Sequence, residues 1–87
     1  MSKFDQIAAF IAVVEANSFA AAAGRQQVSK AAISRQITKL EAKLGVQLLK
    51  RSTRRLALTE MGAQYYQYCK NALQLFNEAE DLIAGSK

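Results

Sequence analysis

Apolar residues recur along this chain at helical spacing, interrupted by short polar clusters. Ile7, Phe10, Ile11 and Val14 stand at i, i+3, i+4 and i+7, one face of a helix, and Ser2 followed by Asp5 fits a capping start. A first helix is predicted over about residues 3–15. Asn17 tolerates the left-handed conformation after a helix, and Ser18 is suited to cap a short second one, about 19–26, opening with Phe19 and the run Ala20 to Ala23. That run is either low-complexity filler or a surface small enough for two helices to approach closely; the second reading is preferred. Gln27 and Val28 leave room only for a tight connection. Ser29 has the chemistry to cap a third helix that Gly45 stops after Leu44. At about 100° per residue, Ile33, Ile37, Leu40 and Leu44 share about 60° of arc, a core stripe. The opposite arc carries Ala31, Ser34, Arg35, Thr38, Lys39 and Ala42, which are small, hydrogen-bonding or cationic.

Past Gly45 the pattern shortens. Leu48 to Arg51 and Leu56 to Leu58 flank the polar set Ser52, Thr53, Arg54 and Arg55, which reads as a two-stranded ribbon with a basic tip, a plain loop being the alternative. Thr59 then caps a closing helix over about 60–84, where Tyr65, Cys69, Ala72, Phe76, Ala79 and Ile83 repeat at spacings of 4, 3, 4, 3 and 4. A second row, Tyr68, Ala72, Leu75, Ala79 and Leu82, lies beside it. Such a helix spans about 37 Å, longer than a three-helix head can cover. A second copy is expected on the overhang, antiparallel, which keeps the acidic ends with Glu78, Glu80 and Asp81 apart.

Composition supports the helical reading. Sixteen alanines, no proline and four glycines among 87 residues favour helix, and this length allows one domain. So small a domain buries only about 60–65% of its unfolded surface, so pairing would help it. There is no histidine, and one cysteine can neither close an internal disulfide nor supply a structural zinc site, so neither metal nor cofactor is expected. The seven carboxylates are scattered along helices without a nucleophile, which argues against an enzyme. Ile7 to Val14, the longest charge-free apolar stretch, falls far short of the roughly 20 residues of a membrane span. Met1 to Ala23 loosely mimics a signal peptide, but Asp5 and Glu15 flank its apolar run closely, as in a helix. The expected compartment is the reducing cytoplasm, and Cys69 reads as a small packed hydrophobe rather than a reactive thiol.

Charge changes the picture most. Residues 1–24 carry a net −1 and residues 56–87 a net −2. Between them Arg25, Lys30, Arg35, Lys39, Lys43, Lys50, Arg51, Arg54 and Arg55 face Glu41 alone, a net +8. A basic segment this concentrated is an electrostatic footprint for phosphate, the alternative being a solvated face. Phe4, Phe10, Phe19, Tyr65, Tyr66, Tyr68 and Phe76 all lie outside it, so no stacking platform for unpaired bases is interleaved with the charge. Double-stranded nucleic acid is favoured. A short helix, a tight turn and a third helix with a small, cationic outer face make a helix-turn-helix, whose second helix enters the major groove.

Together these residues resemble the N-terminal DNA-binding domain of LysR-type transcriptional regulators over nearly the whole chain. The likeness rests on Phe10 and Val13, Ser18-Phe19, Ala22-Ala23, Val28-Ser29, Ile33-Ser34-Arg35-Gln36-Ile37, Leu40-Glu41, Leu44-Gly45, Leu48, Arg51, Arg54, and Leu58-Thr59 with Gly62. It implies a mainly α fold: a winged helix-turn-helix head over 1–59 and a linker helix over 60–87 that dimerises antiparallel. The family's effector-sensing domain, to which a small-molecule effector would belong, is expected to be absent, as in a DNA-binding fragment. Four positions depart from the family pattern: Gln26 where leucine is common, Lys30 and Ala31 where glutamine with proline or serine is common, and Leu49 where phenylalanine is usual.

The expected activity is therefore sequence-specific binding of double-stranded DNA, with the helix over about 29–44 in the major groove and the wing over about 48–58 in the minor groove. Ser18 and Ser29 would hold phosphates at helix N-termini. Lys30, Ala31, Ser34 and Arg35 would face base edges, Lys39 would add to the same basic face, Arg54 would enter the minor groove, and Arg51 and Arg55 would meet phosphate. Lys30 has two open roles, guanine reader or phosphate contact, because its stem begins about 50° from the centre of the core stripe. The homodimer interface is expected at Tyr65, Tyr68, Cys69, Ala72, Leu75, Phe76, Ala79, Leu82 and Ile83. The competing class is a helical protein-interaction module with a solvated basic face.

Overall fold

In the computed structural model, which describes residues 3–50 and 56–85, three helices form a head and a fourth leaves it as a long arm. Helix α1 spans Lys3–Ala16, α2 Phe19–Gln26, α3 Lys30–Leu44 and α4 Glu60–Gly85; strands β1 (Leu49–Lys50) and β2 (Ala57–Leu58) pair antiparallel, Leu49 opposite Leu58 and Lys50 opposite Ala57. The arm makes the molecule elongated, 49 × 26 × 23 Å.

The polar punctuation acts where its chemistry says it should. Asn17 takes φ 54°, turning the chain so that Ser18, extended, accepts the Ala21 N–H on its hydroxyl at 3.1 Å. Gln27 closes α2 at φ 58°, and the Val28 N–H reaches back to the Ala23 carbonyl at 3.0 Å. Two residues later Ser29 caps α3 by accepting the Ala32 N–H at 3.0 Å. Gly45, at φ 76°, ends α3 with its N–H on the Glu41 carbonyl at 2.8 Å; a left-handed residue is cheapest when it has no Cβ. Thr59 caps α4, accepting the Gly62 N–H at 2.9 Å.

Phe10 and Val13 of α1, Ala22 of α2, Ile33, Ile37 and Leu40 of α3, and Leu48 and Leu49 beside the hairpin form the core. Ala22 has no exposed surface and Ala23 almost none, so the alanine run is what lets α2 lie close against α1 and α3. Leu49, in the place of the family's usual phenylalanine, is fully buried as well.

Two expectations need correction, and two buried amides stand beside them. The buried face of α1 is wider than the row Ile7, Phe10, Ile11 and Val14: Phe10 and Ile11 are buried, joined by Gln6, Ala9, Ala12 and Val13, while Ile7 and Val14 are only partly so, because α1 has neighbours on several sides and Ile7 turns toward α4. Leu44 is 39% exposed: Ile33, Ile37 and Leu40 fill the stripe, and the last turn of α3, which Gly45 ends, is left partly uncovered. The amides of Gln6 and Gln36 sit inside the head, where periodicity alone offered no reason to bury a polar side chain.

Candidate nucleic-acid interface

The head turns one face of α3 outward. Lys30, Ala31, Arg35, Thr38, Lys39 and Ala42 are exposed and Ser34 is half-buried, while Ile33, Ile37 and Leu40 on the other side are in the core. Core packing on one side thus fixes the direction of the cationic side chains on the other. The α3 N-terminus behind Ser29 is solvent-accessible, and its backbone N–H groups and helix dipole suit an anion. Ser18 and Ser29 each use an oxygen lone pair to cap, which leaves the hydroxyl proton of each able to donate to a phosphate oxygen.

The basic segment does not act as one patch. Arg25 sits 3.8 Å from Glu15 at the end of α1, so this base serves the joint between α1 and α2. Lys50 projects outward from β1, next to the buried Leu49. Arg51, Arg54 and Arg55 lie outside the described residues. The lone carboxylate of the segment, to which the sequence assigned no role, is structural: Glu41 accepts the N–H groups of Leu48 and Leu49 at 2.8 and 3.2 Å and so ties α3 to the hairpin. A single acid among nine bases was the available signal.

Along α4 the nine expected interface residues divide. Tyr65 packs on Phe10 with ring centroids 5.7 Å apart, and Cys69 is buried against the head, so within one chain these two contribute to its own packing. The reason is that the first turns of α4 run along α1 and spend that part of the stripe there. Burial pushes the Tyr65 phenol up to about 12, with the Cys69 thiol adding to the rise, and burial raises the Cys69 thiol as well. Tyr68, Leu75, Phe76, Leu82 and Ile83 are each more than half exposed, and Ala72 and Ala79 are exposed between them. Ala72 and Phe76 also border an apolar groove of about 540 Å³ between α1 and α4, where Phe4 meets Phe76 edge-on at 6.0 Å. Among the described residues no helix is long and apolar enough to cross a membrane.

Residues 4–63 match the family model described as bacterial regulatory helix-turn-helix protein, lysR family. The HTH-type transcriptional regulator CrgA of Neisseria meningitidis serogroup C is 45% identical over 76 residues, 87% of this chain and 25% of that protein. The chain thus spans about a quarter of the length of the curated relatives it matches. Among solved structures, the CbnR DBD–DNA complex superimposes with a TM-score of 0.85 at 41% identity, covering 98% of both chains. The BenM DBD/benA site 1 DNA complex gives 0.81 at 33% identity, over 98% of this chain and 92% of that one. The capped α2–turn–α3 unit, the small hairpin and the arm are shared architecture, and the chain belongs to the LysR family of bacterial regulatory helix-turn-helix proteins.

Proposed function

We propose that this chain binds double-stranded DNA in a sequence-specific manner as the DNA-reading domain of a LysR-family transcriptional regulator acting in the bacterial cytoplasm. The observation that carries the reading is the outward face of α3, anchored by the core behind it and capped by Ser29, in a fold matched by the CbnR and BenM domains in their DNA complexes. In this reading α3 lies in the major groove with Lys30, Ala31, Ser34 and Arg35 toward base edges and Lys39 adding to the cationic face. Ser18 and Ser29 contact phosphate, Arg54 enters the minor groove, and Arg51 and Arg55 meet the backbone. Residues 60–87 act as a separate linker unit whose exposed row, Tyr68, Ala72, Leu75, Phe76, Ala79, Leu82 and Ile83, pairs two copies antiparallel. The relatives are named as transcriptional regulators, and a purely DNA-reading, non-enzymatic role agrees with them.

Binding to duplexes selected from a random pool tests this, measured over a range of salt. Phosphate contacts release counterions, so affinity should fall steeply as salt rises; a protein-interaction module working through α4 would give a nearly flat salt response. Lys30→Gln sharpens the test. If Lys30 reads guanine O6 and N7, the substitution changes the preferred base at one symmetric pair of positions by about 1–3 kcal/mol. A phosphate-binding Lys30 would instead weaken all sequences alike and lower the salt slope by about one.

A further inference from the structure

The second half of the head converges on one point, the backbone of Leu48. From α3, the half-buried Glu41 carboxylate accepts the Leu48 and Leu49 N–H groups through one oxygen, at 2.8 and 3.2 Å. From the start of α4, the Thr59 N–H donates to the Leu48 carbonyl at 2.9 Å, and the Thr59 hydroxyl donates to the Gln47 carbonyl at 2.7 Å. Gly62 lies so near that a Cβ there would collide with the Leu48 carbonyl oxygen. Recognition helix, hairpin and arm are therefore pinned to the same dipeptide. Below these bonds the Leu48 and Leu49 side chains are buried in the core.

We infer that Glu41 is a specificity-determining positioning residue: it touches no DNA, but its two hydrogen bonds set where the hairpin stands beside α3 and so which flanking base pairs the hairpin meets. The inference rests on the DNA-binding reading given above. Three observations carry it. The bonds cross between the two elements proposed to enter adjacent grooves. One carboxylate oxygen takes both N–H groups, at 2.8 and 3.2 Å, so a single side chain fixes two successive amides of the hairpin. And Glu41 is the one acid where every other charge between residues 25 and 55 is positive, although it weakens the attraction to phosphate. A carboxylate kept at that electrostatic cost, and turned onto the hairpin's own amides, serves orientation rather than charge.

The experiment uses the full chain and the tightest duplex recovered from a random pool, with the central half-sites held constant and the flanks made A·T-rich or G·C-rich. Glu41→Ala and Glu41→Gln are compared with the parent, and helix content and sedimentation are followed to verify fold and assembly. In Glu41→Ala the ratio of affinities for the two flanks should fall by about threefold or more, since flank readout depends on how the hairpin meets groove width. Base preference in the half-sites, set by α3, should stay as in the parent. Glu41→Gln keeps an acceptor oxygen without the charge and should recover most of the flank ratio. A merely structural role would lower affinity for all duplexes in parallel with the folded fraction, leaving the ratio intact. An unchanged ratio in folded Glu41→Ala overturns the inference, as does a parent with no flank preference. A parent that binds no duplex overturns the DNA-binding reading itself. If Glu41→Ala does not fold, Glu41→Met, which keeps the side-chain length without an acceptor oxygen, takes its place: the flank ratio should fall likewise, and an unchanged ratio in folded Glu41→Met refutes the inference.

Discussion

Helices α3 and α4 carry the same kind of apolar stripe, yet the chain treats the two stripes in opposite ways. Ile33, Ile37 and Leu40 are essentially without exposed surface because α1 and α2 close over them. Leu75, Phe76, Leu82 and Ile83 stand between 54 and 75% exposed: among the described residues the head packs closely only on the first turns of α4, and Phe4 alone touches the edge of Phe76. Helical spacing identifies a face that wants cover; it does not say whose. In α3 the cover is intramolecular, and the stripe's job is to aim the opposite face. Along the distal half of α4 the cover is missing from the described residues, which is why a second copy is proposed on that row.

The contrast can be broken at three places. Phe10 is the centre of the covered region, fully buried and in contact range of Tyr65 and Tyr66. Phe10→Ala should cost about 3–5 kcal/mol, a large share of the stability of a domain this size, read from chemical denaturation; a loss below about 1 kcal/mol would show that the head is not held as described. Phe76→Asp probes the uncovered region. It should weaken self-association by about 30-fold or more in sedimentation while leaving helix content at low temperature near that of the parent. A parent that is monomeric throughout, or a variant that pairs as before, removes the case for a second copy on α4.

The smallest effect lies where the two regions meet. Tyr65 is held up at about 12 by burial and by Cys69, whereas in the unfolded chain it ionises near 10. The folded state thus keeps the phenol proton longer. Its contribution to stability is fully present below about pH 10 and is lost as pH rises toward about 12. Tyr65→Phe should remove that part of the alkaline loss, seen as a shallower fall in melting temperature across this window; identical curves would place the Tyr65 hydroxyl in water.

Much of the interface was legible because its determinants are local. Ser18, Ser29, Gly45 and Thr59 act within one turn of themselves, so their identities announce where helices begin and end. The outward direction of Ala31, Arg35 and Lys39 follows from helical geometry once Ile33 and Ile37 are known to face in. Arg25 was different. Counted with the basic segment, it turns to Glu15, ten residues earlier in the chain, and composition cannot distinguish a base paired to its own protein from one open to a ligand.

By itself the sequence determined the helices, their caps, the side of α3 that points outward and the concentration of positive charge, since each depends on residue type and on spacing within a turn or two. Only the tertiary structure decided which stripe is covered from within, that Tyr65 and Cys69 pack on the head while Tyr68 and Phe76 remain outside, that Leu44 stays exposed, and that Glu41 reaches across to the amides of Leu48 and Leu49. Those outcomes depend on where a chain segment several or many residues away comes to lie. A helical period of 3.6 residues encodes direction around an axis, but not the distance at which another element waits.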